Sequence, residues 1–277
     1  LLETAAPASL QPEGPLIVPA LKIAVQLASL RQPFRKAVMT AARLGASGVE
    51  IDARGELRPE VMTQTALREI RGLLEEHSLR VVAVGFRTRR GYDAPDEIER
   101  RVAATKGAMK LAADLRAPIV VNQIGHAAAA ADSPGGKLLR QTLLDFCGYG
   151  QRIGTLLAAQ TGSESGPDLA SLLAELPLHG IGVDLDPGNL ILNGFSPLEA
   201  VQALGPNILH VHARDGVRDL ARGRGQEVPL GRGTTDFPAL LGALQERGYR
   251  GYFTVGRETS DEPELEAEQA IKYLGNL

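Results

Sequence analysis

From Leu21 onward, short runs rich in apolar and β-branched residues alternate with longer stretches whose apolar positions recur at helical spacing. The short runs are Leu21–Leu27, Ser47–Asp52, Leu79–Phe86, Ala117–Gln123, Thr155–Gln160, Gly180–Asp186, Asn207–Ala213 and Gly251–Gly256. Most are apolar almost throughout rather than strictly alternating, which predicts parallel strands covered on both faces. Helices are predicted near Phe34–Leu44, Pro59–His77, Asp96–Leu115, Gly136–Ile153, Asp168–Leu176, Pro197–Leu204, Phe237–Arg247 and Glu262–Leu274. Gly45, Gly205 and Gly248 each follow an amphipathic run, where a helix needs a residue that tolerates left-handed backbone. Eight strand–helix units in this length predict an α/β fold of the (β/α)8 TIM-barrel type. A doubly wound sheet is the alternative, but VQLASLRQP after the first strand has no Gly-rich phosphate loop. Leu1–Pro19 is Ala/Pro-rich and aperiodic, which predicts an N-terminal tail over 1–20 and a single barrel domain over 21–277.

Composition narrows the function classes. With 44% hydrophobic residues among 277, the chain has enough apolar material for a large core, so disorder is excluded. Thirty Lys+Arg against 33 Asp+Glu leave a net charge of −3, without the basic excess that nucleic-acid binding requires. No apolar run approaches the roughly 18–20 residues of a membrane span. The lone Cys147 can form no internal disulfide and, with no acidic or His partner in register, reads as packing.

In such barrels chemistry sits where strands end. The polar residues there are Glu50 and Asp52, Asn122 and Gln123 with His126 beyond, Gln160, Asp184 and Asp186, His210 and His212, and Arg257 with Glu258. Residues two apart on a strand share a face, so Asp184 points with Asp186 and His210 with His212. On neighbouring strands these carboxylates and imidazoles form a set suited to a Mn, Co or Zn ion. Asp184 and His210 also fit a buried polar pair one layer below the mouth, with Asp186 and His212 at the mouth itself.

The motifs GASGVEI, LLAAQTGSESGPDL, GIGVDLDPGNLILNG, ILHVHARDGVR, VPLGRGTTDFPALLGAL and GYRGYFTVGRE together resemble the xylose-isomerase-like barrels of the sugar phosphate isomerase/epimerase family. The resemblance extends from Leu21 to the C-terminus. It implies a divalent metal (Mn, Co, Mg or Zn) held by a Glu after strand five, an Asp after strand six, a His after strand seven and a Glu after strand eight. The Asp matches Asp186 and the His matches His212, while the two glutamates fall on Gln160 and Gly256. In the epimerases those glutamates also move the proton beside the sugar carbonyl. Glutamine is not basic enough for that step, and glycine has no side chain. Asp184 is a further candidate ligand, and Glu50, His126, Glu164 and Glu258 are other acids or bases from which a site could be rebuilt.

A third exchange points the same way. The loop that often reads PLGEG in the family is Pro229–Gly233 with Arg232 in place of the acid. All three exchanges make the mouth less negative, which weakens a cation site and strengthens an anion site. Arg214, Arg222, Arg224, Arg232 and Arg257 fall on the strand-seven and strand-eight side, where barrels often hold phosphate. Two functions follow: an isomerase or epimerase of a sugar or sugar phosphate, or a non-catalytic relative that binds one. On either, Gln160, Asn122, His126 and Glu50 would contact a polyhydroxylated ligand, and Arg214 or Arg257 an anionic end. The expected partners are small molecules, with no nucleic acid and no membrane; a homo-oligomer is compatible. Low cysteine and the family's habits point to the cytoplasm, with export left open by a chain that begins at Leu1.

Overall fold

The computed structural model describes residues 21–219 and 224–277. Its strands are β1 (Lys22–Gln26), β2 (Gly48–Asp52), β3 (Arg80–Gly85), β4 (Ile119–Asn122), β5 (Leu156–Gln160), β6 (Ile181–Leu185), β7 (Ile208–Ala213), β8 (Asp215–Asp219), β9 (Arg224–Val228) and β10 (Tyr252–Val255). The helices are α1 (Phe34–Arg43), α2 (Gln64–Glu76), α3 (Ile98–Asp114), α4 (Pro134–Ile153), α5 (Gly166–Ala174), α6 (Pro187–Asn193), α7 (Pro197–Leu204), α8 (Phe237–Glu246) and α9 (Pro263–Gly275). Eight of the strands close a parallel barrel in the order β1-β10-β7-β6-β5-β4-β3-β2, while β8 and β9 form a separate antiparallel pair. The fold is a (β/α)8 TIM barrel, as the alternating runs predict. The expected tail lies outside the described residues. No helix among the described residues is long and apolar enough to cross a membrane.

The side-chain alternation of the strands divides the core. Outward residues such as Val25, Val49, Val183 and Val211 join the helices in one large apolar cluster. A smaller cluster of Ala24, Val82, Ala83, Ile119, Val121 and Ala158 fills the barrel interior. Directly above it the inward positions turn polar: Gln26 follows Ala24, and Gln160 follows Ala158, on the same strand faces. The registers Gln26↔Glu50, Gln160↔Asp184, Asp184↔His210 and His212↔Thr254 place these polar residues at matching levels.

Several elements differ from the sequence reading for local reasons. The stretch expected as one helix from Pro59 to His77 breaks into a 3-10 turn at Pro59–Val61 and α2, because Thr63 caps α2 by accepting from Ala66 N at 3.1 Å. The chain after Asp186, for which the sequence predicts no helix, is α6: Asp186 caps it by accepting from Asn189 N at 2.8 Å, with Pro187 at the first helical position. The β8/β9 hairpin, also unforeseen, pairs Asp215 with Val228 and Val217 with Gln226. Buried Asp215 accepts from Gly231 N and Gly233 N at 3.1 and 2.8 Å, which shapes the Pro229–Gly233 loop. Gly45 (φ 87°) and Gly248 (φ 80°) are left-handed at their helix ends, as expected.

Candidate functional site

Above the apolar floor, the inward side chains of six strands form a continuous polar network that is almost wholly buried. Asp184 is its centre. Its Oδ1 lies 2.8 Å from His210 Nδ1 and its Oδ2 lies 2.7 Å from His212 Nδ1. His210 turns its other nitrogen to Thr254 Oγ1 at 2.7 Å. His212 Nε2 meets Glu50 Oε2 at 2.8 Å, an ion-pair contact without hydrogen-bond alignment. Gln26 donates to Glu50 Oε1 at 2.7 Å. Gln160 donates to Asp184 Oδ2 at 3.1 Å and reaches Asp186 Oδ2 at 3.4 Å.

Next to this network sits Arg214, only 7% exposed. Its Nη1 donates to Asp186 Oδ2 at 3.0 Å, its Nε to Glu227 Oε1 at 2.7 Å, and its Nη2 lies 3.4 Å from Glu258. The hairpin makes this possible, because Glu227 arrives on β9. Arg87, from the loop after β3, crosses the mouth to pair with Glu258 beyond β10, and its other nitrogen donates to Gln160 Oε1 at 3.4 Å. Arg87 and Glu258 are each about half exposed and cover the buried groups beneath them.

The electrostatics follow from this packing. Burial opposes a charged His212, but Asp184 and Glu50 outweigh it and hold the imidazole pKa well above its ordinary value. Carboxylates facing both ring nitrogens favour the protonated ring. Burial likewise pushes Asp184 and Glu50 up, and the imidazole charge reverses that push, leaving both carboxyls below their usual range. Arg214 is also destabilised by burial, but Asp186, Glu227 and Glu258 raise its pKa still further.

These shifts have a definite sign in stability. The lowered carboxyls stabilise the fold above an unfolded pKa of about 4 and lose that contribution as pH falls through their folded values. The raised His212 contributes fully below about pH 6.5 and loses its contribution as pH rises toward its folded pKa. Denaturant unfolding is therefore expected to show greatest stability near pH 5–6 and a decline above about pH 6.5. His212→Gln should flatten that alkaline slope; an unchanged slope in the variant would assign it to other groups.

The structure places the residues singled out from sequence as follows. Asp184, Asp186, His212, Gln160 and Glu50 come together. Asp184 is not simply paired with His210 one layer down, since it bridges both histidines. Asn122, expected as a ligand contact, lies on the other face of β4: Ile119 and Val121 face the barrel interior, so Asn122 faces the helices. There it donates to Tyr92 Oη at 2.6 Å and accepts from Thr88 N at 3.1 Å. His126 stands apart on the rim, with its Nδ1 2.7 Å from Asp93 and its side chain 79% exposed. Arg214 and Arg257, expected as anion contacts, both meet protein acids: Arg214 as above, Arg257 on both oxygens of Glu266 at 2.8 Å. Arg222 and the side chain of Arg224 lie outside what is described, and Arg232 is exposed. Glu164 is buried with its pKa raised by burial, and accepts from Ser163 Oγ at 2.6 Å. Cys147 is buried and packs against Gly180.

Gln26, Arg87, Thr254 and Glu227 were missed. The first three stand at or near strand ends, so applying the strand-end rule to every strand finds them. Glu227 carries no such signal, because it belongs to the hairpin.

The donors do not fit a divalent ion. Glu50, His210 and His212 offer ligand atoms within 4.8 Å of one another. However, both nitrogens of each histidine already face an oxygen of the protein, contacts that an entering metal would have to displace. Asp186 Oδ1 is committed to the α6 cap and Oδ2 to Arg214. The position that the resemblance gives to the eighth-strand acid is also tight: a Cβ on Gly256 would lie 2.8 Å from Gln26 Cβ and 2.9 Å from its Oε1.

Fold and mouth together define a (β/α)8 barrel with a buried carboxylate–imidazole network at the C-terminal ends of its strands. The chain belongs to the xylose isomerase-like TIM barrel family, whose model matches residues 38–277. Among solved structures it is similar to a xylose isomerase domain protein from Planctomyces limnophilus, at 23% identity and a TM-score of 0.83, covering 93% of this chain and 97% of that one. A D-tagatose 3-epimerase-like protein matches at 18% identity and a TM-score of 0.74, covering 92% of this chain and 97% of the other. A xylose isomerase-like TIM barrel protein from Mycobacterium smegmatis in complex with magnesium matches at 17% and 0.74, covering 93% and 96%. No curated protein matches significantly.

Proposed function

We propose that this barrel binds a small polyhydroxylated ligand, a sugar or sugar phosphate, at its mouth without a divalent metal. The observation that carries this reading is the buried Arg214 guanidinium, 3.0 Å from Asp186 and 2.7 Å from Glu227. Together with the His212 imidazolium it supplies positive charge from the protein itself. Buried amide, carboxylate and imidazole groups suit hydroxyls, which both donate and accept. Family membership and an epimerase-like structural neighbour support a sugar as the ligand. Entry requires Arg87 and Glu258 to part.

Because Gln160 and Gly256 stand at the positions the resemblance gives to proton transfer, the non-catalytic reading is the simpler one. The isomerase or epimerase reading has one observation in its favour: His212 lies between two carboxylates, Asp184 and Glu50, which could pass a proton through it.

Metal analysis of protein purified without chelator or metal-affinity tag tests the proposal, followed by Mn²⁺ titration calorimetry. No stoichiometric ion, no Mn²⁺ binding at millimolar concentration and a thermal shift with a ketose in excess chelator are the expected results. One tightly held ion per chain would overturn it, and ketose turnover in chelator would replace binding with metal-free catalysis.

A further inference from the structure

A large open space on the mouth side lies beside the buried network, not over it. The loops after β2 and β3 and the first turns of α3 enclose a cleft of about 950 Å³. Six arginines line it: Arg54, Arg58, Arg89, Arg90, Arg100 and Arg101. Only three acids oppose them, Glu60, Asp96 and Glu97. The cleft is thus locally cationic by three charges in a chain whose net charge is −3.

The pairing inside the cleft leaves much of that charge uncompensated. Arg90 pairs with Asp96, and Arg100 lies 3.3 Å from Glu97. Arg54 donates to the Arg87 carbonyl at 2.8 Å and stacks over the Phe86 ring at 5.5 Å. Arg58 and Arg89 form no ion pair or side-chain hydrogen bond among the described residues. Arg101 spends its terminal nitrogens on the carbonyls of Asp96 and Ala94, while its buried Nε has no acceptor. Six guanidinium groups gathered around one space repel each other, and an anion entering that space relieves the repulsion. Guanidinium groups match phosphate oxygens through paired N–H donors.

We propose that this cleft binds a phosphorylated small molecule carrying at least two negative charges. The volume exceeds what a phosphate alone would fill, and half-exposed Val61 offers an apolar contact for the body of the ligand. This moves the expected anion contact from the strand-seven and strand-eight side, where Arg214 and Arg257 are neutralised, to the opposite side of the mouth. Small ligands are favoured over a nucleic-acid strand because the arginines ring one bounded cleft flanked by acids rather than a continuous basic track. None of the cleft's lining residues belongs to the buried network, so this site does not depend on the reading given for that network.

Titration calorimetry at low ionic strength with pyrophosphate, glucose 6-phosphate and glucose tests the proposal. Pyrophosphate and glucose 6-phosphate should bind with sub-millimolar affinity, and glucose should neither bind there nor compete with them. Arg58→Ala/Arg89→Ala, which removes two unpaired side chains and breaks no internal contact, should weaken both by about 100-fold, some tenfold per charge-assisted contact. Arg232→Ala, in the loop after β9, removes one exposed positive charge far from the cleft and should change affinity less than about twofold. Absent binding at millimolar pyrophosphate, or equal affinity in the double variant and the parent, would overturn the site. Tighter binding of a single-stranded oligonucleotide, lost in the same double variant, would replace the small-molecule ligand with nucleic acid. None of these outcomes alters the metal measurement at the mouth, so the two readings fail separately.

Discussion

Arg214→Met is expected to cost about 3–5 kcal/mol of stability, the range for removing one partner from a buried ion pair. Arg214 is 7% exposed, and its loss strands Asp186, which is fully buried, and Glu227, whose side chain is 8% exposed. Methionine replaces the volume but not the charge, so desolvation of the stranded carboxylates dominates the loss. For a chain of this size that is a fall in melting temperature of roughly 6–20 °C. Two further variants separate this cause from simple loss of packing. Arg87→Met removes a cation of the same type from a half-exposed pair with Glu258, and screened surface pairs contribute less than about 1 kcal/mol. Arg214→Met/Asp186→Asn/Glu227→Gln removes the stranded charges as well; asparagine still caps α6, and at least half of the lost stability should return. Thermal and denaturant unfolding read all three. A loss below about 1 kcal/mol in Arg214→Met would mean that the pit is wetter than its burial indicates, and the case for a protein cation replacing a metal would fall with it.

The contrast between Arg214 and Arg87 also shows what a sequence can and cannot convey here. The barrel was legible because each strand is a short buried run and each helix carries its own periodicity and stop signal, as at Gly45 and Gly248. The shared faces of Asp184 with Asp186, and of His210 with His212, follow from strand geometry alone. Partnership does not. Arg214 carries the same inward parity as His212, but sequence cannot say whether its charge meets a ligand or a carboxylate of the protein. The answer depends on Glu227, delivered by a hairpin whose strands, DGVRD and RGQEV, lack an apolar alternation strong enough to distinguish them from a polar loop. Asn122 misled for a different reason: a strand end supplies residues to both faces, and only the register of β4 decides which one looks inward. The arginines of the β2 and β3 loops lie far apart in sequence and converge only when the barrel closes.

Rebuilding the metal site should require three substitutions rather than two. Gln160→Glu and Gly256→Glu restore the acids at the positions the resemblance assigns to a metal, yet the second meets an obstacle. Gln26 already fills that space, with its Cβ 2.8 Å and its Oε1 2.9 Å from where a Cβ on residue 256 would stand. Contacts that short force a shift of the β1 end or of β10, at a cost of about 1–3 kcal/mol for overpacking. Gln26→Gly removes both of the contacting atoms, the Cβ and Oε1, and with them the donor that now holds Glu50 Oε1 at 2.7 Å. With two added carboxylates the pit becomes strongly negative, and a divalent cation competes better with Arg214 for Asp186. The triple variant Gln26→Gly/Gln160→Glu/Gly256→Glu is expected to bind Mn²⁺ at least about 100-fold more tightly than Gln160→Glu/Gly256→Glu, a difference of about 2.7 kcal/mol. Adding Arg214→Gln should tighten it further by removing the competing guanidinium. Titration calorimetry with Mn²⁺, alongside melting curves with and without the ion, measures both the affinity and the stabilisation that binding confers. Equal Mn²⁺ affinity in the double and triple variants would show that Gln26 yields freely, leaving the guanidinium of Arg214 as the barrier to a metal at this mouth.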